Sequence, residues 1–383
     1  MSDRIRVAAI GAVIDIDAST RGPVFADRVR AAWSDALTDA DGPLHSVVRV
    51  REGGDDDAAL ALLSSDVTLA ALALRRGDAL WMMHAAGLAD ADGRVAVLSA
   101  PSGTGKTTAA RRLARRYAYV SDETVGVAAD GTVVAYRKPL SVIEAAAPHK
   151  VQVAPSSLHP GVPLAGAPRV AAVVVLDRRA DGPESPEVER LDLAQALELL
   201  APQTSYLSDA PRPLHLIRDV LDRVGGAVRV RYREAETLDA VVAALLAEAP
   251  TGSRSRDDAD TASEPMPEPE PAPEPVSEPE PAPGPVAGGA VGALVRTAVV
   301  DALDLGDGRL ALLRRTDDGS SVHVLDGIGP AVWRAADGRP LDDITAEVVR
   351  VHGRPEGADA GALVAAAAET LRADGLLRRV PQT

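Results

Sequence analysis

The sequence predicts two folded parts joined by a linker: a layered α/β domain built around a phosphate-binding loop, and a smaller α+β module. Three observations point to this. Strand-like and helix-like stretches alternate over the first 250 residues, the pattern of helices layered on a sheet. The segment Ala100–Thr108, APSGTGKTT, falls between a strand and a helix. Glu264–Pro285, EPMPEPEPAPEPVSEPEPAPGP, cannot build a core: proline donates no N–H and fixes φ, and the glutamates repel one another.

In chain order, Arg4–Ile16 reads as a strand, and Ala26–Ala36 and Ala58–Leu74 as helices. Residues 1–80 are thus expected as an α/β region packing on the domain that follows. Within 81–250, Arg94–Ser99 is a short buried strand and Lys106–Arg116 a helix rich in Ala and Leu. Tyr117–Val120 and Val125–Val127 read as strands. Val170–Leu176, VAAVVVL, is a β-branched run bounded by Pro168 and Asp177, as a central strand should be. Leu193–Leu200 and Leu214–Val224 read as helices, Val228–Tyr232 as a strand and Leu238–Ala247 as a closing helix. Residues 251–290 are expected to be a disordered linker. Its proline repeat, extended at about 3.1 Å per residue, would reach roughly 70 Å. In 291–383, strands at Thr297–Leu303, Leu310–Arg314 and Val322–Leu325 precede helices at Ile328–Ala336, Leu341–His352 and Ala360–Asp374.

Composition narrows the function. Of 383 residues, 46% are hydrophobic but only 2% aromatic, so the cores must rest on Ala, Val, Leu and Ile. The absence of cysteine removes disulfides, thiolate zinc sites, iron–sulfur clusters and cysteine nucleophiles together. No apolar run reaches the ~18 residues a membrane span needs. The N-terminus lacks the basic start, apolar middle and cleavage site of a signal peptide. A cytoplasmic location without membrane contact is the resulting expectation. The net charge of −15 argues against nucleic acid or anionic membranes as partners. Nearly half of that charge belongs to the linker, with nine acids and two arginines. Lysine is rare: Lys106, Lys138 and Lys150 are the three in the chain.

The strongest chemical signal is the loop made of Ala100, Pro101, Ser102, Gly103, Thr104, Gly105, Lys106, Thr107 and Thr108. Small residues let backbone N–H groups turn inward around phosphate oxygens, and the following helix adds its positive end. Lys106 is placed to reach the β- and γ-phosphates, and Thr107 to hold Mg2+. Ala100 departs from the usual G-x-x-x-x-G-K-[ST], which begins with glycine. Further on, Asp122 and Glu123 end a strand. Carboxylates beside a phosphate loop can hold Mg2+ or take a proton from a hydroxyl nucleophile. By its neighbours alone, His84 in WMMHAAG reads as a core histidine.

Together, His84-Ala-Ala-Gly87, Ala100-Pro-Ser-Gly-Thr-Gly-Lys-Thr107 and Val120-Ser-Asp-Glu-Thr-Val125 resemble the HPr kinase/phosphorylase-like superfamily. Its catalytic core is related to phosphoenolpyruvate carboxykinase. The resemblance covers roughly 80–247. It implies an HPr kinase/PEPCK-like P-loop fold, ATP and Mg2+ as cofactors, and Asp122 as the base on an acceptor serine. It further implies that His84 and Lys106 assist the reaction and that Thr107 and Glu123 lie at the metal. Glu123 replaces the aspartate usual in the family. The family's C-terminal signature for its carrier-protein substrate is not found, which puts HPr in doubt as the acceptor.

The C-terminal module resembles the PqqD family, a small winged-helix fold that binds leader peptides of ribosomally made peptides. Val322-His-Val-Leu-Asp-Gly-Ile-Gly-Pro-Ala-Val-Trp333, Asp337-Gly338, Leu341-Asp-Asp-Ile344 and Leu371-Arg-Ala-Asp-Gly-Leu-Leu377 carry the resemblance, over most of 297–380. It implies peptide capture by strand addition and makes Trp333 a core anchor. The two resemblances imply an ATP- and Mg2+-dependent phosphotransferase acting on a serine or other hydroxyl of a peptide or protein. The acceptor would be a precursor or leader peptide in peptide natural-product maturation. The alternative is a nucleotide-binding regulatory or accessory protein without kinase turnover. Homo-oligomerisation and the choice between ATP and GTP are left open.

Overall fold

The computed structural model describes residues 4–101, 103–142, 151–158, 162–164, 166–248, 293–317 and 319–380. The expected linker and Ser102 lie outside these residues. Contacts divide the chain into two units: Met1–Pro250 with Val299–Val324, and Thr251–Ala298 with Leu325–Thr383.

The first unit opens with β1 (Arg4–Ala9), β2 (Ala12–Asp17), α1 (Gly22–Ala32), β3 (His45–Arg49) and α2 (Asp56–Leu74). The single strand expected over 4–16 is in fact a hairpin. β1 and β2 pair antiparallel, and the two turn residues Ile10 and Gly11 take φ of 50° and 72°. Positive φ at both turn positions matches the twist of paired strands. Ile10 hides this turn from the sequence, because it is fully buried and keeps the apolar run unbroken. β3 joins β2 in parallel. α1 and α2 cover this sheet with Phe25, Val29, Leu60, Leu63 and Val67. α2 is long and apolar enough, by length and composition alone, to cross a membrane; these core contacts account for much of its apolarity.

The chain continues through β4 (Leu80–Met83), β5 (Ala85–Ala89), β6 (Arg94–Ser99), α3 (Lys106–Leu113), β7 (Ala118–Ser121), β8 (Val125–Ala128) and β9 (Val133–Val134). Then come β10 (Leu140–Val142), β11 (Val151–Val153), α4 (Pro155–Leu158), β12 (Arg169–Arg178), β13 (Glu187–Arg190), α5 (Leu193–Leu200), α6 (Pro213–Arg223), β14 (Ala227–Tyr232) and α7 (Leu238–Glu248). Six strands form the main sheet in the order β13-β14-β12-β6-β5-β7. β12 runs parallel to both β6 and β14, whereas β5 runs antiparallel to β6 and β7. Both faces are covered. Val95, Val97, Val173 and Val175 pack with Leu197 and Leu200 of α5 and Ile217 and Val220 of α6. Ala96, Leu98, Val174 and Leu176 pack with Ala109 and Leu113 of α3 and Leu238 and Val242 of α7. Burial on both faces is why β12 is apolar from Val170 to Leu176 rather than alternating.

Next come β15 (Leu294–Arg296), β16 (Asp301–Asp304), β17 (Leu310–Thr316), β18 (Gly319–Leu325), α8 (Gly329–Ala335), β19 (Asp337–Arg339), α9 (Leu341–His352), α10 (Ala360–Ala373) and β20 (Leu377–Arg379). Of the strand expected over Thr297–Leu303, only Asp301–Leu303 is strand, within β16; β15 ends before Thr297 and the residues between are irregular. The sequence groups all these strands with the 291–383 module, yet Val299–Val324 belongs by contacts to the first unit. There, Leu303, Ala311 and Leu313 join the core that holds α5 and α6. Asp301 also meets the start of α6: its Oδ2 accepts from the Leu214 N–H at 2.9 Å and lies 3.1 Å from His215 Nδ1. In the second unit, β15 is the centre of a three-stranded antiparallel sheet, β19-β15-β20, accompanied by α8, α9 and α10. Trp333 is buried and Arg296 stacks over its ring at 5.3 Å.

Candidate functional site

Strand direction gathers the site. β6, β12 and β14 run parallel, so their C-terminal ends share one edge of the main sheet. β7 is antiparallel to β5, which is antiparallel to β6, so β7 also ends there. β5 begins there, with Ala85 paired to Ser99, and this places His84 beside the end of β6. Ligands of open α/β sheets bind at this edge, outside the carboxyl ends of the strands.

The glycine-rich loop joins β6 to α3. Gly103 and Gly105 take φ of 80° and 98°, which a side chain would oppose. Gly105 precedes α3 directly and accepts the Ala109 N–H at 2.9 Å, so the loop passes into the helix without a break. Ala100 is buried and is not among the residues of positive φ, so alanine fits where the usual pattern has glycine. Thr104 ties the loop by donating from Oγ1 to the Pro101 carbonyl at 2.6 Å. Lys106 is buried, and burial pushes its ammonium below the usual lysine value. Its Nζ donates to the Ala100 carbonyl at 2.5 Å, across the loop. Pro101, Gly103, Thr107 and Thr108 are exposed. Arg178, at the end of β12, borders the loop: a Cβ on Gly105 would lie 3.5 Å from its Cδ.

The acidic pair follows β7. Ser121 Oγ accepts from the N–H groups of Glu123 and Thr124 at 3.3 and 3.2 Å, which bends the chain and presents both acids. Asp122 is buried and receives the Tyr119 hydroxyl at 2.7 Å on Oδ1. Lys138 stands between the two acids, with Nζ 3.3 Å from Asp122 Oδ1 and 3.1 Å from Glu123 Oε2. Burial opposes its charge, but the two carboxylates outweigh that and raise its proton affinity above the usual lysine value. The half-buried His84 ring feels the same cluster. Desolvation and the nearby Lys106 charge depress its proton affinity, while Glu123 and Asp122 pull the other way. The His84 N–H is held by the Gln203 carbonyl at 2.6 Å, and the Ala85 N–H by the Glu123 carbonyl at 3.2 Å.

The structure therefore brings Lys106, His84, Asp122 and Glu123 to one sheet edge. Ser102 lies outside the described residues. Sequence reasoning missed Lys138 and Arg178. The scarcity of lysine was the one signal that pointed to Lys138, whereas Arg178 was one arginine among many. Among the described residues, no group of three or more His, Asp or Glu side chains could hold a metal ion. The donor set still suits Mg2+ that arrives on phosphate oxygens, because Mg2+ usually takes one or two protein groups and fills the rest with phosphates and water. Thr107 and Glu123 would be those groups.

A separate cavity of about 530 Å3 lies in the same unit, lined in part by Arg76, Thr204, Tyr206, Asp209 and Arg315. Both arginines bind Asp209, at 2.9 and 2.8 Å. Its wall is continuous in sequence with Gln203, which holds the His84 backbone.

No protein-family model matches the chain, and no curated protein matches it. Among solved structures, the Hpr(Ser) kinase/phosphatase from Coxiella burnetii is similar over 43% of this chain and 93% of its own, at 11% identity and a TM-score of 0.22. A likeness of that size identifies no relationship by itself.

Proposed function

We propose that the first unit is an HPr-kinase-like phosphotransferase that uses ATP and acts on a hydroxyl of a peptide or protein. The observation that carries this reading is the convergence of Lys106, Asp122, Glu123 and His84 on the sheet edge that bears the phosphate loop. Lys106 would exchange the Ala100 carbonyl for the β- and γ-phosphates, and the loop N–H groups would hold the remaining phosphate oxygens. Bound Mg2+ would neutralise charge on the phosphates, with Thr107 and Glu123 beside it. Asp122 accepts the proton of the acceptor hydroxyl as its oxygen bonds to the γ-phosphorus and the bond to the departing ADP breaks. His84, whose proton affinity burial lowers and whose ring lies near both acids, would assist by charge or positioning. A peptide held by the C-terminal module would raise the local concentration of acceptor at the site. The setting we favour is the maturation of a ribosomally made peptide.

The test has two parts. A fluorescent ATP analogue binds the wild type, and Lys106→Ala abolishes binding. With labelled ATP and a ribosomal precursor peptide that the C-terminal module binds, label reaches the peptide. Asp122→Asn keeps nucleotide binding but slows transfer by about 10^2- to 10^4-fold, the usual weight of a general base. No transfer to any peptide while ATP still binds would remove the enzyme. A second reading, a nucleotide-dependent regulator without turnover, draws on Lys138, whose ammonium already compensates both acids. It requires Asp122→Asn to leave biological activity intact.

A further inference from the structure

Lys138 lies between β9 and β10 with a side chain only 6% exposed. Its ammonium has three N–H donors, and three acceptors face it: Asp122 Oδ1 at 3.3 Å, Glu123 Oε2 at 3.1 Å and the Pro139 carbonyl at 3.2 Å. Among the described residues, neither acid pairs with another cation. The Tyr119 hydroxyl donates at 2.7 Å to Asp122 Oδ1, the oxygen that Lys138 also approaches, and among the described residues no hydrogen bond reaches Oδ2.

We propose that Lys138 is the resident cation of the acidic pair. It orients Asp122 with one oxygen open, and it keeps a free divalent ion off Asp122 and Glu123, so that metal enters only with the phosphates of a nucleotide. The reason is electrostatic. An ion bridging the two carboxylates would share both of its protein ligands with the ammonium, and like charges that close in a partly buried site repel. The ammonium also halves the formal negative charge that would attract the ion. Nucleotide phosphates would restore the missing negative charge. Only this last step rests on the phosphotransferase reading.

Mn2+ serves as the probe, followed by electron paramagnetic resonance on the full-length protein. Without nucleotide, the wild type binds Mn2+ weakly, and a non-hydrolysable ATP analogue creates a tight site. Without nucleotide, Lys138→Met gains a Mn2+ site at least about tenfold tighter than the wild type has, once the like charge is gone. Lys138→Arg retains the exclusion, and Lys138→Met/Glu123→Gln loses the gained site, which locates it. A nucleotide-free wild type that binds Mn2+ as tightly as it does with the analogue overturns the proposal. So does a folded Lys138→Met, judged by its circular dichroism melt, that gains no site. Should Lys138→Met not fold, the wild-type comparison and Lys138→Arg still decide, since tight nucleotide-free binding by either defeats the exclusion. Failure of the wild type to bind the analogue at all would instead sink the phosphotransferase reading, while the nucleotide-free comparison still judges Lys138.

Discussion

Ala100 and Gly105 sit in one loop under opposite constraints. Ala100 replaces the expected glycine at no backbone cost, whereas Gly105 holds φ of 98° just before α3. A side chain in the left-handed region costs about 1–2 kcal/mol. Gly105→Ala should therefore weaken nucleotide binding and lower the melting temperature, while Ala100→Gly should change either little; calorimetry and thermal melts compare the two. His84 gives a second expectation. Its folded proton affinity lies below the ordinary value of 6.5, so below about pH 6.5 the unfolded chain binds more protons and stability falls as pH drops. Above that range the penalty vanishes. His84→Asn should remove this part of the slope, seen as a smaller difference in melting temperature between pH 5.5 and 7.5 than in the wild type. The placement of Lys106 and Asp122 at one sheet edge was legible because the glycine-rich loop and the acidic pair are short local patterns at strand ends. Lys138 was not, because its partners are distant in sequence. The hydrogen bond from the Tyr136 N–H to the Val120 carbonyl, 3.0 Å, folds its segment back onto the acids.

Elements were legible where a local signal marked their ends. α5 spans Leu193–Leu200 as read, because Asp192 and Gln195 form a capping box around its first turn, with Asp192 Oδ1 accepting the Gln195 N–H at 2.8 Å. Asp192→Ala should destabilise the first unit by about 1 kcal/mol, the ordinary value of a cap. Asp192→Asn should cost less, since it keeps the cap and loses only the Arg309 contact at 3.3 Å. Denaturant midpoints of the two variants check the order. β4 and β5 escaped notice because both are buried along their length, so no alternation separates LWMM and AAGLA from a single apolar stretch interrupted by His84. β9, β10 and β11 span only two or three residues each, too short to show a period.

For the whole molecule, composition located a covalent boundary that is not a boundary of packing. The proline run separates two stretches of sequence, yet Val299–Val324 on its far side completes the core on its near side. The reason is visible in α6, whose face carries Leu214, Ile217, Val220 and Leu221, all buried together with Leu303, Ala311 and Leu313. No pattern within 291–383 records which surface those three leucine and alanine side chains meet. A chain ending at residue 250 should therefore expose that part of α6. Relative to a chain ending at residue 324, it should melt lower and bind more of a dye that reports exposed apolar surface. Asp301→Ala in the full chain should reproduce part of the loss, by about 1 kcal/mol, since it uncaps α6 and releases His215. Equal melting temperatures for the chains ending at 250 and 324 would mean that the three strands add nothing to the first unit.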